Sequence, residues 1–194
     1  MSNGARSIDP SYFDRLYREK PDPWDFSTSE YEARKYAATL EALGGRYFQS
    51  AFEVGCSIGI FTRQLAAWCD SLLAIDVAQA AVTKAQDYCA GLSQVTIQRM
   101  RIPHEWPDRT FKLILISEVL YFLSLDDIAA TADHSLASLE PGGVVLLVHW
   151  TGETDYPCGG DAAVKHYLAK CGRLLIPKAH RREPEYRLDL LARA

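Results

Sequence analysis

Ser50-Ala51-Phe52-Glu53-Val54-Gly55-Cys56-Ser57-Ile58-Gly59-Ile60-Phe61-Thr62, together with the acid that ends Leu72-Leu73-Ala74-Ile75-Asp76, decides the fold. The first run reads as a short apolar strand, a glycine turn and the start of a helix. Gly55 and Gly59 let the backbone approach a ligand where a Cβ would clash. Asp76 closes the second apolar run roughly 20 residues on, where a carboxylate accepts hydrogen bonds from both ribose hydroxyls of a nucleoside. The two runs specify a nucleoside pocket.

The spacing alone leaves three readings. A dinucleotide site would carry G-x-G-x-x-G, with the pyrophosphate on the helix N-terminus. Gly55, Ser57 and Gly59 instead give G-x-S-x-G, which is also the nucleophile elbow of hydrolases, with Ser57 as nucleophile. An α/β domain with an accidental glycine loop is the third reading. The acid two residues before the first glycine tips the balance, because Glu53-Val54-Gly55 resembles the start of the (E/D)-x-G-x-G-x-G motif of class I S-adenosylmethionine-dependent methyltransferases. Ser57 stands in place of that motif's middle glycine.

A chain of 194 residues is long enough to bury one well-packed sheet and is expected to form a single domain over 1–194. Hydrophobic residues at 48% and charged residues at 24% indicate a globular chain. A net charge of -4 offers no basic field for nucleic acid. The cysteines, Cys56, Cys69, Cys89, Cys158 and Cys171, are odd in number and form no C-x-x-C pair, so neither a disulfide framework nor a zinc site is indicated. Met1 to Pro10 has no apolar segment of signal-peptide type, and no window approaches about 18 uninterrupted apolar residues. These features point to a soluble cytoplasmic protein with no membrane contact and no metal; they say nothing of oligomeric state.

Residues 1–49 read as an N-terminal helical lid and 50–194 as a Rossmann-like core. A helix is expected from Asp9-Pro10-Ser11 through Arg18, ended by Lys20-Pro21-Asp22-Pro23. A second, capped by Ser27 or Ser29, runs to about Leu43 and closes at Gly44-Gly45. Trp24, Phe26, Tyr31 and Tyr36 either pack this segment on the sheet or close it over the cofactor against water. From there strands at Ala51–Val54, Leu72–Ile75, Val95–Arg99, Leu113–Ile116 and Val144–His149 alternate with helices at Phe61–Cys69, Ala78–Cys89, Leu125–Leu139 and Asp161–Cys171. Such alternation implies a mostly parallel sheet with helices on both faces. Glu140-Pro141-Gly142-Gly143 reads as a tight turn into the fifth strand. Arg173–Arg181 and Tyr186–Ala192 follow without a helix between them and read as an antiparallel pair. That ending is the methyltransferase topology, for about seven strands in all.

Further matches narrow the family. Asp22-Pro23-Trp24, Tyr31-Glu32-Ala33-Arg34, Glu53-Val54-Gly55-Cys56, Ser117-Glu118-Val119-Leu120-Tyr121-Phe122-Leu123 and Leu139-Glu140-Pro141-Gly142-Gly143 resemble the NodS family. Its members are N-methyltransferases acting on a deacetylated amino sugar of chitooligosaccharide precursors. The resemblance covers about residues 20–148 and fades from His149 onward. It implies S-adenosyl-L-methionine as cofactor and S-adenosyl-L-homocysteine as product. Gly55 with its neighbours Cys56, Ser57, Gly59 and Phe61 would cradle the methionine part. Asp76 would hold the ribose, Val77 the adenine face, and Arg101 and Ile102 the adenine edge; Ser117 is carried over with this set. Arg34 would bind the methionine carboxylate or else be a solvated helix arginine. Glu53 would accept from backbone amides of the turn or from the methionine amine.

The acceptor side rests on the loops that follow the fourth and fifth strands. A sulfonium donor is already activated, so alignment is the main demand, with a base only where the acceptor must lose a proton. Glu118 could hold an ammonium acceptor or take its proton, or could cap the following turn. Tyr121 lies three residues on. His149 could act as base or be a satisfied structural histidine. Trp150 could stack on a ring, Asp155 could bind an amine or hydroxyl, and Tyr156 sits in the same long loop. Trp24 and Tyr31 join these as substrate contacts if the lid closes. The expected function is methyl transfer to an amine, or a hydroxyl, of a small molecule such as an amino sugar or oligosaccharide. The alternatives are a small-molecule O-methyltransferase and a non-catalytic S-adenosylmethionine-binding regulator.

Overall fold

The apolar run before the glycine turn is a strand, β1 (Ala51–Val54), buried along its whole length. It belongs to a computed structural model that describes residues 6–194, so the reading of the N-terminus falls, for residues 1–5, outside the described residues. The chain divides into two compact units, residues 9–101 and residues 102–194 with 6–8. Seven strands make up a mostly parallel sheet.

In the first unit, α1 (Pro10–Glu19) starts on Asp9, whose carboxylate accepts the Ser11 amide at 2.9 Å, with Pro10 in the first turn where its missing N–H is not needed. Asp22 then accepts from the amides of Phe26 and Ser27 and from the Ser27 hydroxyl, at 2.7–2.9 Å. One carboxylate thus ties the turn that carries Trp24. The cap of α2 (Glu30–Ala42) is Ser29, which accepts from Glu32 N at 3.3 Å; Ser27 is engaged by Asp22 instead.

β1 pairs in parallel with β2 (Leu72–Asp76), and β2 with β3 (Val95–Arg99). The helix after the glycine turn, α3 (Ile60–Leu65), is shorter than the sequence suggests and ends in a 3-10 turn over Ala66–Trp68. Next, α4 (Gln79–Tyr88) buries Val82 and Ala85 with Cys89 against Cys56, Ala74 and Ile97. Full burial of an aliphatic side chain of this size contributes about 1.5–3 kcal/mol.

In the second unit β4 (Phe111–Ser117) and β5 (Leu139–Trp150) are parallel. β4 starts two residues before the expected Leu113. Phe111 faces Leu139 and Leu113 faces Val144, so residues 140–143 loop out of the register, Gly142 taking a φ of +71°. The expected turn is therefore a bulge within one strand. Between β4 and β5 lies α5 (Leu125–Ser138), capped by Ser124, and after β5 comes α6 (Gly160–Cys171). β6 (Leu175–Arg182) and β7 (Tyr186–Arg193) close the chain, and β7 runs antiparallel to both β5 and β6. Val144 to His149 is buried on both faces, as a central strand requires. Among the described residues no helix is long and apolar enough to cross a membrane.

Candidate functional site

The glycine turn takes its shape from three left-handed residues: Gly55 at φ +88°, Ser57 at +49° and Gly59 at +85°. A Cβ on Gly59 would lie 3.0 Å from Ala85 Cα and 3.2 Å from Cys89 Sγ, so glycine there lets the turn sit against α4. Asp76, at the end of β2, accepts the Ser57 amide at 3.0 Å and the Ala78 amide at 2.9 Å, one on each carboxylate oxygen. Burial pushes the Asp76 carboxyl up; the Ala78, Ser57 and Val77 amides pull it down but do not cancel that. The turn and the acid are thus one hydrogen-bonded unit, and the strand ends carry it.

Beneath the turn Glu53 is buried, and one of its carboxylate oxygens, Oε2, has no hydrogen-bond partner among the described residues. Burial raises this group from 4.5 to about 7; the Thr62 hydroxyl opposes the rise and the Asp76 carboxylate adds to it. A buried acceptor without a partner below a glycine cradle fits the ammonium of a methionine moiety.

Of the other residues expected at the cofactor, Cys56 and Phe61 are buried, and the Phe61 ring packs tilted against Tyr36 of α2 with centroids 5.1 Å apart. Val77 is half-buried and its carbonyl accepts from Arg99 Nε at 3.0 Å; Arg101 is exposed. Ile102, buried, and Ser117, half-buried, belong to the other unit. Arg34 does not reach the turn. Its side chain is 71% exposed and its guanidinium lies 3.7 Å from Glu30, which is the solvated alternative. Trp24 rests edge-on against Tyr17 at 5.7 Å, and Lys35 lies over the Tyr31 ring.

Sequence reasoning missed Tyr17. Its hydroxyl shares a 2.5 Å hydrogen bond with Ser57 Oγ.

In the second unit Glu118 follows β4 in a left-handed conformation, φ +57°. Its Oε2 accepts from the Tyr121 hydroxyl and from the Trp150 amide, each at 2.8 Å. Tyr121 stacks on Tyr156 with ring centroids 5.6 Å apart, and Phe122 meets Tyr156 edge-on at 4.5 Å. His149 is fully buried, and its Nε2 accepts the Leu120 amide at 3.2 Å, which assigns the ring proton to Nδ1. Glu118, Tyr121, Trp150 and Tyr156 are thus brought together. His149 stands behind them, and Asp155 is exposed.

Gly152, in the long loop after β5, and Gly160, which begins α6, were not singled out as site residues in the sequence. A Cβ on Gly152 would lie 2.3 Å from the Trp150 indole and one on Gly160 2.0 Å from the Trp150 carbonyl oxygen, so glycine at both positions leaves room for Trp150 where it sits. No group of three or more His, Cys, Asp or Glu is placed to hold a metal ion among the described residues.

A left-handed glycine turn joined to an acid-tipped second strand, in a chain that ends on an antiparallel strand, defines the class I methyltransferase fold. The N-methyltransferase NodS of Bradyrhizobium japonicum WM9, solved with S-adenosyl-L-homocysteine, superposes with a TM-score of 0.82 at 22% identity, over 95% of this chain and 99% of that one. A candidate methyltransferase from Pseudomonas syringae gives 0.75 at 32% identity, over 85% of this chain and 100% of that one. The sequence profile of the Nodulation protein S (NodS) family matches residues 14–143, and the chain belongs to that family. Nodulation protein S of Sinorhizobium fredii is 34% identical over 138 residues, 68% of this chain, and the match spans 63% of the relative's own length.

Proposed function

We propose that this protein transfers a methyl group from S-adenosyl-L-methionine to an amine of a small molecule, with an amino sugar or an oligosaccharide that bears one as the favoured class. The observation that carries the reading is Asp76, presented at the tip of β2 and bound to the turn through Ser57. The donor supplies an electrophilic methyl carbon on a sulfonium. Asp76 would accept from the ribose hydroxyls, Glu53 from the methionine ammonium, and the left-handed turn would let the backbone lie close to both.

An amine favours the geometry around Glu118 over a hydroxyl. A carboxylate fixed by Tyr121 and Trp150, beside stacked aromatic faces, presents negative charge and π-density together, the combination that recognises a cation. The amine must shed a proton before its lone pair attacks the methyl carbon, and Glu118 would take it. Carbon–sulfur cleavage and carbon–nitrogen formation then leave the methylated amine and S-adenosyl-L-homocysteine. N-methylation is the activity named for the B. japonicum relative, which supports the same assignment here. A reducing, cytoplasmic setting belongs to the proposal, since all five cysteines are unpaired.

The test is incubation of the protein with methyl-labelled donor and pooled amines, including glucosamine and chitooligosaccharides with a free amino group. Label on an amine, with S-adenosyl-L-homocysteine formed in equal amount, is the expected result. A protein that binds NAD in calorimetry and ignores S-adenosyl-L-homocysteine would sink the proposal.

A further inference from the structure

Ser57 occupies a backbone conformation, φ +49°, that glycine enters freely and other residues enter at a steric cost. A glycine is also what the motif resembled by this chain carries there. The serine hydroxyl has a definite use: it lies 2.5 Å from the hydroxyl of Tyr17, whose side chain is 4% exposed. Burial and the nearby Asp76 carboxylate hold the Tyr17 phenol well above its ordinary range, so it keeps its proton. Glycine at this position would leave the enclosed phenol without this partner, and an enclosed hydroxyl that loses its hydrogen bond destabilises its surroundings.

Tyr17 lies on α1, and α1 is tied to the same unit at two other points. Asp14 Oδ1 accepts the Gln79 amide at 2.9 Å, supplying the first turn of α4 with the side-chain cap that Ala78 cannot give. Lys84 Nζ donates to the carbonyl of Pro21, just past the end of α1, at 2.9 Å. Both of these contacts reach α4. The Tyr17–Ser57 bond instead joins α1 to the glycine turn, whose Ser57 amide donates to Asp76.

We propose that Tyr17 and Ser57 form a latch that holds α1 onto the glycine turn, making Tyr17 a positioning residue of the nucleoside site that slows release of the bound nucleoside. The latch rests on the assignment of the turn to S-adenosyl-L-methionine.

The experiment measures amide exchange of α1 in the ligand-free protein, and S-adenosyl-L-homocysteine release by stopped flow, for Tyr17→Phe, Ser57→Ala, Ser57→Gly and the double variant Tyr17→Phe/Ser57→Gly. Each single variant is expected to speed α1 exchange by on the order of tenfold, and the double variant no more than either alone, because one hydrogen bond is lost in every case. Ser57→Gly should melt higher than Ser57→Ala, since glycine relieves the left-handed strain, yet release the ligand as fast as Ser57→Ala does. A merely structural serine would recover slow release along with the melting temperature. Unchanged α1 exchange, or effects that multiply in the double variant, would overturn the latch. Coupled exchange with unaltered release would overturn the positioning role alone. Coupled exchange in a protein that binds no S-adenosyl-L-homocysteine would remove the cofactor assignment, and the positioning role with it.

Discussion

Tyr121 donates its hydroxyl to Glu118 Oε2 at 2.8 Å, across a turn that Glu118 enters in a left-handed conformation. A non-glycine residue held there is strained by on the order of 1–3 kcal/mol, and such strain persists only where the surroundings over-determine it. The Trp150 amide on the same oxygen, and the Glu118 amide donating to Val148 O at 2.9 Å, provide that determination. The carboxylate is therefore oriented before any acceptor arrives.

Glu118→Gln tests its chemistry. The amide is nearly isosteric and can still accept from Tyr121 and Trp150, but it holds no charge and takes no proton. Turnover on the amine acceptor should fall by about 100-fold or more, while S-adenosyl-L-homocysteine affinity stays within about twofold. Steady-state kinetics with calorimetry on the same preparation separate the two. A variant that keeps full turnover would remove Glu118 from the reaction.

Asp76→Ala should act on the other half of the problem. It deletes the acceptor proposed for the ribose and frees the Ser57 and Ala78 amides together. Cofactor affinity should weaken by about 1–3 kcal/mol, seen as a rise in the calorimetric Kd of S-adenosyl-L-homocysteine. Asp76→Asn, which keeps one acceptor oxygen, should lie between the two. Equal affinity in all three proteins would mean that the nucleoside is held elsewhere.

Much of this arrangement was legible in the sequence. Strand–helix alternation gave the sheet, and β1 and β3 fall on the expected residues, β1 because Ser50 and Gly55 bound its apolar run. β4 began earlier than expected because Lys112 interrupts its apolar run, and that lysine is accommodated through Glu140 at 3.2 Å and the Pro141 carbonyl at 2.9 Å. Contacts distant along the chain were not legible. Nothing in the spacing of Tyr17 and Ser57 joins them, and no local pattern says that Gly152 and Gly160 shape the surroundings of Trp150. Arg34 carried two readings, a ligand contact suggested by charge and family position and a solvated helix arginine, and sequence alone does not choose; in the structure its side chain lies beside Glu30 and is mostly exposed.

His149→Ala is expected to be a stability variant first. The ring is fully buried and serves the Leu120 amide, so removal leaves a cavity and an amide without its acceptor. The combined cost should be about 2–4 kcal/mol, read as a lower urea midpoint with an unchanged slope. His149→Gln, which can offer an acceptor in the same region, should recover part of it. A variant as stable as the parent but inactive would restore His149 as the base.

The last expectation is a pH dependence that Glu53 sets. Its carboxyl is raised from 4.5 to about 7 by burial, opposed by the Thr62 hydroxyl and reinforced by Asp76. Between those two values the folded protein holds a proton that the unfolded chain has already released. Stability must then fall as pH rises through that window and level off above about 7. At 1.36 kcal/mol per pH unit, a rise from 4.5 to about 7 corresponds to about 3 kcal/mol between the two plateaus. Asp76 is raised as well and contributes a slope of the same sign, beginning at lower pH. Glu53→Gln cannot ionise, so its unfolding free energy should change less between pH 5 and pH 8 than that of the parent, and the gap between the two proteins should narrow on the acid side. Urea titrations at several pH values measure both curves. Parallel curves for parent and variant would show that Glu53 is already ionised at pH 5 in the folded protein, against the burial that raises it.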